Sequence, residues 1–487
     1  MNNYKANFAW FGLILFGLVL TSCELTAPLT PQLLDEIEDI RFTEHIQPFI
    51  LQPYCERCHA GADAAAGLQL DSWDNLIAGS DHGEAVIPFD ADNSIMAKMV
   101  TILEGGPHPF ELDADTLDGA RVRLLQRWIN AGARFDGPID AVNQGVIPFS
   151  TSPRLLFVAN QDDALISVID IDAKLVIRTI DLQNDTGFDF SPNAKPHDVE
   201  AEPDLSAIYT SLIGENAVIK ISIDNQELTG QYMDQAFFET PGMLALNSLS
   251  DQLFVGRSLT AVSPPRSIGE ITRSTMEIKD IELPLQRPHA LAIDPLDGFT
   301  YTASLNENRI FSVPTDSSEI TFTLLQAPFN AFIHFAISPD GNRIAASGQE
   351  SNQVMLLDTS APPGIKRIGG IEVGNQPWHP VWLPDQSYVY VGNLADNSVS
   401  VIDANNFIVS QTITGNGLAQ PHGSAVSPEG DYVFISNRNT NGAYTPRYNF
   451  GTNQNTGTVV VINTATNEIE KVIEVGRFPA GLSTVVQ

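Results

Sequence analysis

Five residues concentrate the most specific chemistry in the chain: Cys55-Glu56-Arg57-Cys58-His59. Two thiols at this spacing fall on one helical turn, close enough to reach the two vinyl groups on one edge of a porphyrin. A histidine directly after the second thiol then points its imidazole at the iron. The spacing predicts one covalent c-type haem, with Cys55 and Cys58 as thioether donors and His59 as the proximal iron ligand. Two other uses of Cys-x-x-Cys fit worse. A thioredoxin-like redox pair needs a βαβ context, which this segment lacks. A zinc site needs a second Cys/His pair at ligand spacing, and no Cys lies downstream.

Histidine supplies the second candidate site. The chain has nine His, and five of them recur in one setting: His197, His289, His334, His379 and His422. Each opens a repeat such as "KPHDVEAEPDLSAIYTS", "RPHALAIDPLDGFTYTA" or "QPHGSAVSPEGDYVFIS". His197, His289 and His422 precede the next turn proline by six residues, His334 and His379 by five. The corresponding places in two further repeats hold Gly242 and Ala480. Side chains at equivalent places of a circular repeat gather at one end of its axis. The five imidazoles are therefore expected near one mouth of a central channel. Such a ring could hold a metal, a second haem or an anionic substrate. The plainer alternative is a Pro-His turn preference copied with the repeat. Arg438, Tyr444, Arg447 and Tyr448 lie in a late insertion, "NRNTNGAYTPRYNFGTNQNTG", and are expected to fold over that mouth as a lid. No Ser-His-Asp order, phosphate loop or His-Glu-x-x-His helix supports hydrolase chemistry.

The elements that position these histidines are short strands. From Arg154 onward, period-2 alternation ("NSVSVIDANNFIVSQTI", "GTVVVINTATNEIEKVI") is punctuated by Pro-Asp-Gly-type turns, the pattern of antiparallel strands. Repeats of about 48 residues with four strands each predict propeller blades. Six repeat starts are visible. A seventh blade follows by joining two incomplete ends. "RLLFVANQDDALISVIDIDAKLVIRTIDL" has three outer strands, and "GRFPAGLSTVVQ" has an inner strand with nothing after it. Their union closes the ring and removes exposed edges. The excess length is assigned to two insertions, "SLTAVSPPRSIGEITRSTM" and the one carrying Arg438. The strand endings "FVANQ", "YVGNL" and "FISNR" resemble propellers of the YVTN type, named for a Tyr-Val-Thr-Asn strand motif. That resemblance implies a fold more than a function.

The elements around Cys55 are helical. Leu34 to Pro48 reads as an amphipathic helix with Ile37, Ile40, Phe42 and Ile46 on one face. In "RVRLLQRWINAGA", Val122, Leu125, Trp128 and Ile129 recur at helical spacing before Gly132, a helix stop. "SIMAKMV" reads as a shorter helix between them. The run from Cys55 through "GLQL", "DNSIMAKMV" and "WINAGA" resembles the cytochrome c domains fused to other modules in many environmental bacteria. That resemblance covers about 100 residues. It implies a distal iron ligand from a Met-Pro-Pro motif, and here the matching place reads His108-Pro109-Phe110. His108 is thus the first candidate for the distal ligand. Met99 or Met96 is the alternative, and an open or water-bound position the third. Neutral imidazole is a sound iron ligand and would lower the potential relative to Met. His45 and His82 match no motif position and read as surface or structural residues.

The N-terminus reads as a targeting segment. Lys5 precedes an apolar run from Phe8 to Leu20, about 13 residues, the length of a signal core and short for a membrane span. Leu20-Thr21-Ser22-Cys23 resembles a bacterial lipobox, which implies cleavage and lipidation at Cys23. The three Cys are then all assigned, one to lipid and two to haem. The expected layout is a signal peptide over 1–23, a tether over 24–31, a small all-α haem domain over 32–136, a linker over 137–151, and an all-β seven-bladed propeller over 152–487. The formal net charge of −33 argues against a nucleic-acid partner and allows an acidic docking face for a basic redox protein.

Three functional readings follow. The first is an exported lipoprotein, periplasmic or anchored to the outer membrane of a Gram-negative-type bacterium, that passes electrons between redox partners. The second is an oxidoreductase with a second metal or haem site at the propeller mouth. Its order of domains resembles cytochrome cd-type nitrite reductases. The third is a ligand-binding propeller with a haem sensor.

Overall fold

Proline sets where each propeller strand begins. It cannot donate to a ladder, so within sheets it favours first positions. Inner strands start at Pro196, Pro241, Pro288, Pro377, Pro421 and Pro479, with Phe332 in the same role. In the computed structural model these strands nucleate seven four-stranded antiparallel sheets, each paired in order from the inner strand outward. The described residues are 31–101, 117–136 and 154–484, apart from breaks at 189, 225–226, 233–237, 259–265, 297, 317, 449 and 451–452. The ring closes as expected: Pro479–Thr484 pairs with Leu155–Asn160, followed by Leu165–Asp170 and Leu175–Asp181. One expectation is corrected. Six of the nineteen residues of the first supposed insertion are ladder, because Ser267–Thr272 is a strand paired on both sides within its blade.

Each inner strand starts under constraint. The residue before it has positive φ in all seven blades: Lys195, Thr240, Arg287, Ala331, Gln376, Gln420 and Phe478. None is glycine, so each left-handed residue stores roughly 1 kcal/mol of backbone strain or more. The register then slips within the first residues of each inner strand, for example between Pro288 and Ala290 and between Phe332 and His334. Such bulges re-aim side chains.

The N-terminal segment holds helices α1 (Pro31–Asp35), α2 (Phe42–Cys55), α3 (Trp73–Ile77), α4 (Ile95–Thr101) and α5 (Gly119–Asn130). The expected helix from Leu34 to Pro48 is broken. Ile37 and Ile40 pack on the core from a connecting stretch, and α2 runs on to Cys55. Pro48 and Pro53 lie inside α2, which is wound wide: Ile46 N donates to Arg41 O (3.2 Å) and Glu56 N to Leu51 O (2.9 Å). A proline ring collides with the carbonyl four residues back, and a wider turn relieves that collision. Helix α5 follows its predicted pattern, burying Val122, Leu125, Trp128 and Ile129. Asp118 caps its start, and Gly132 ends it at φ +99°. Helices α2 and α5 meet at Phe42 and Trp128, with ring centroids 6.0 Å apart.

The two regions touch through residues 81–98. Ile87 joins the apolar cluster of Leu156, Val158 and Val176 in the propeller. The Arg178 guanidinium lies 4.3 Å from the centroid of the Phe89 ring. No helix among the described residues is long and apolar enough to cross a membrane.

Candidate functional site

The haem-type motif is shaped by its own neighbours. After α2 ends, Cys58 N and His59 N both donate to Cys55 O, at 3.1 and 3.0 Å. This turn sets Cys55, Cys58 and His59 on the wall of one cavity of about 350 Å3, a size within the range of cofactor sites. Leu68, Leu70, Ala85 and Val100 make the lining largely apolar. His59 Nδ1 lies 3.2 Å from the carbonyl oxygen of Leu68. A carbonyl only accepts, so Nδ1 carries the proton and Nε2 the lone pair, the tautomer that a metal requires. Gly67 permits this placement. Its φ is +67°, and a Cβ there would lie 2.5 Å from an Asp81 carboxylate oxygen. Burial pushes the Cys55 thiol up to about 12, so it is no thiolate nucleophile. Cavity, lining and tautomer all fit a porphyrin bound through this motif.

Helix α4 contributes Met96 and Met99 to the same cavity, both buried. His108 lies outside the described residues, as does Cys23. His45 is structural, as expected: its Nδ1 accepts from Arg41 N at 2.9 Å. His82 sits at the contact between the regions, its ring 5.9 Å from that of Tyr448.

The five propeller histidines do come together. Ring centroids are 6.3 Å apart for His197 and His289, 5.7 Å for His197 and His422, 4.8 Å for His379 and His422, and 4.2 Å for the stacked pair His334 and His379. The different proline spacings have a structural counterpart. His197, His289 and His422 are second residues of their strands, and His334 and His379 are third, displaced by Ile333 and Trp378. Four of the five are enclosed, His289 fully and His197, His379 and His422 nearly so, while His334 is half-buried. Burial, helped by His289 and Arg438, holds His197 down at about 3. Burial also brings His289 to about 4 and His334 to about 3, and drives His379 and His422 well below the usual range. Two imidazoles are oriented through Nδ1: His197 toward Gln161 Oε1 (3.1 Å) and His289 toward Arg257 O (2.6 Å). Their Nε2 atoms, with His379 Nε2, His334 Nδ1 and Trp378 Nε1, are buried without a protein partner. Each such atom costs about 1–3 kcal/mol if left so. Among the described residues, no three His, Cys, Asp or Glu side chains converge as placed at metal-binding distance.

The lid expectation fails for three of its four residues. Arg438 does cover the cluster, its guanidinium 4.5 Å from the Trp378 ring and 4.4 Å from the Phe478 ring. Tyr444 instead turns inward and donates to Glu474 (2.7 Å). Arg447 and Tyr448 leave the mouth altogether. Arg447 donates to His82 O, and Tyr448 lines the cavity of Cys55 and His59. The insertion is tethered by Glu474, which also accepts from Arg447 N (2.7 Å), and this pulls its second half toward the blade edge.

Sequence reasoning missed Glu84. It lines the Cys55 cavity and accepts from the backbone N–H of Val176 in the propeller (3.3 Å). Burial pushes its carboxyl up to about 7, with Glu474 adding to the rise and Arg447 opposing it. Nothing local marks this residue, because its environment comes from another domain. Trp378 was missed too, although the five-residue spacing of His379 carried its trace.

Residues 55–105 match the family described as planctomycete cytochrome C. No curated protein matches the sequence. A functionally unknown protein from Desulfotomaculum acetoxidans is similar at 16% identity with a TM-score of 0.54, covering 68% of this chain and 98% of its own. A putative 6-phosphogluconolactonase from Bacteroides fragilis gives 14% identity and 0.52, covering 69% and 99%. At these identities the likeness shows the propeller fold alone. The dihydro-haem d1 dehydrogenase NirN covers more, 90% of this chain and 98% of its own, at 14% identity and a TM-score of 0.45. The family match and the seven four-stranded sheets together make the chain a cytochrome c-like segment joined to a seven-bladed β-propeller.

Proposed function

We propose that this protein is an exported c-type cytochrome that transfers single electrons through one covalent haem, with the propeller as its docking body. One observation carries the reading: Cys55, Cys58 and His59 line one apolar cavity, and the Leu68 carbonyl holds His59 in the ligating tautomer. When bound, the haem supplies an iron that cycles between two oxidation states. Cys55 and Cys58 would hold it by thioether links and His59 would ligate its iron, with Met99 or Met96 from α4, or His108, as the candidate second protein ligand. Cys58 is exposed, so the motif side of the cavity is accessible to a partner. The acidic surface suits a basic redox protein, and lipidation at Cys23 would hold the chain at a membrane facing the periplasm.

The test is expression with a c-type maturation system. One haem per chain should survive acid-acetone extraction, and Cys55→Ala with Cys58→Ala should abolish it. Wild-type chain without covalent haem overturns the reading. The red-edge charge-transfer band of thioether ligation then separates Met from His108.

A second reading is favoured by the buried histidine cluster. If that cluster holds a cofactor, the protein is an oxidoreductase in which the cytochrome segment feeds or drains a second centre.

A further inference from the structure

We propose that the five-histidine cluster of the propeller binds one late first-row transition-metal ion of the class neutral imidazole prefers, copper first and zinc second. The proposal deepens the second-centre reading and is independent of the haem.

The tautomers point to a cation. Arg257 O can only accept, so the 2.6 Å contact places the His289 proton on Nδ1 and its lone pair on Nε2. His197 has the same arrangement with Gln161 Oε1 as acceptor. A histidine whose Nδ1–H is anchored to oxygen while Nε2 lacks a partner is built as a metal ligand is built. Both Nε2 atoms are buried and unpartnered, as is His379 Nε2. Lone pairs turned inward repel an anion, so an anion held directly by these imidazoles does not fit.

The spacing fits one ion. With metal–nitrogen bonds of about 2 Å, two imidazoles on one ion have centroids roughly 4.5–6 Å apart. His379–His422 at 4.8 Å and His197–His422 at 5.7 Å lie in this range, and His197–His289 at 6.3 Å lies just beyond it. No three donors yet converge, so binding requires the unanchored rings of His379 and His422 to rotate about Cβ–Cγ while His197 and His289 keep their Nδ1 contacts. His334 stacks on His379 at 4.2 Å, so this pair supplies one ligand and one support. An all-imidazole set excludes Mg and Ca, which take oxygen ligands, and suits Cu and Zn. Arg438 places a positive charge beside the site. It disfavours a bare cation and favours an ion that carries an exogenous anion, held between metal and guanidinium.

The experiment uses the full chain purified without chelator and loaded separately with Cu(I), Cu(II) and Zn(II). Metal per chain is measured by mass spectrometry alongside haem content. About one ion per chain is expected, falling at least tenfold in His197→Ala with His289→Ala while the haem spectrum is unchanged. The wild-type Cu(II) EPR spectrum should show nitrogen superhyperfine splitting, a readout that needs no variant to fold. Wild-type chain that takes up none of the three ions overturns the proposal and leaves a water-filled cluster. Full metal retention in the double variant also overturns it. Metal without haem would defeat the electron-transfer reading and leave this one standing.

Discussion

The cytochrome-like cavity and the propeller cluster both present histidine, but they are assembled at different ranges along the chain. His59 is set by contacts a few residues away: Cys55 through the turn, Leu68 through its carbonyl, Gly67 through its φ. The propeller histidines come from five blades and meet only once the ring has closed. A site of the first kind survives loss of distant structure. A site of the second kind reports on the whole domain. The two also differ in lining. One is an apolar cavity with a single oriented imidazole, and the other a closed set of imidazoles with several unpartnered nitrogens.

Acid should separate the two most strongly. The propeller histidines have folded pKa values depressed below the unfolded value. The stability they confer is present above about pH 6.5 and is lost as pH falls toward 3–4. For the metal-free chain, protonation of His197 alone is worth on the order of 4 kcal/mol, and each further proton is disfavoured by repulsion from the imidazolium beside it. The propeller's β-sheet circular dichroism should collapse in this window while the Cys55 region persists. Equal acid sensitivity of both regions would break the comparison.

Glu84 should act in the opposite direction. Its folded pKa is raised, so its stabilising effect is full below about pH 4.5 and is lost as pH rises through about 7. After discounting for its partial exposure, the loss is on the order of 2 kcal/mol. Glu84→Gln should be flat across this window, with stability at pH 8 above that of the wild type. Urea denaturation at pH 5 and pH 8 measures the difference.

Much of this was legible in the sequence because it depends on local rules. The haem motif, helix α5 with its Gly132 stop, and the closure of the ring by its last strand all follow from spacing within a turn or a repeat. What was not legible depends on distant neighbours. Arg438 and Arg447 lie in one polar loop, and nothing in that loop says that one faces Trp378 and the other His82. Glu84 reads as an ordinary surface carboxylate until Val176 covers it. The widened α2 was hidden because Pro48 reads as the end of the helix, whereas the surrounding core of Phe42, Ile46 and Ile50 holds the segment helical.

Gly132 gives a smaller, one-sided effect. Its φ is +99°, and a Cβ would lie 2.7 Å from the Phe89 ring. Gly132→Ala should destabilise the cytochrome-like region by about 1–3 kcal/mol through strain and that collision. The propeller's own transition should not move in a calorimetric scan. A matching shift in both transitions would mean that the two regions unfold as one unit.

The weakest perturbation bears most directly on that question. Arg447 and Tyr448 leave the propeller to touch His82 and the Cys55 cavity, and Lys471 Nζ lies 3.5 Å from Asp81 O. These are exposed polar contacts, so Arg447→Ala should change overall stability by no more than about 1 kcal/mol. Its effect on coupling should be larger than its effect on stability, because few other side chains bridge the regions at this edge. If the loop carries the coupling, the variant should resolve one calorimetric transition into two and make the reduction potential at Cys55–His59 insensitive to changes at Glu474. If Ile87 and Phe89 carry it instead, Arg447→Ala will leave a single transition, and Ile87→Ala will split it. Ile87 is buried at the apolar contact, but the loop reaches both the cavity wall, through Tyr448, and the histidine cluster, through Arg438. Among the described residues it thus offers one path by which a change at either site can be felt at the other.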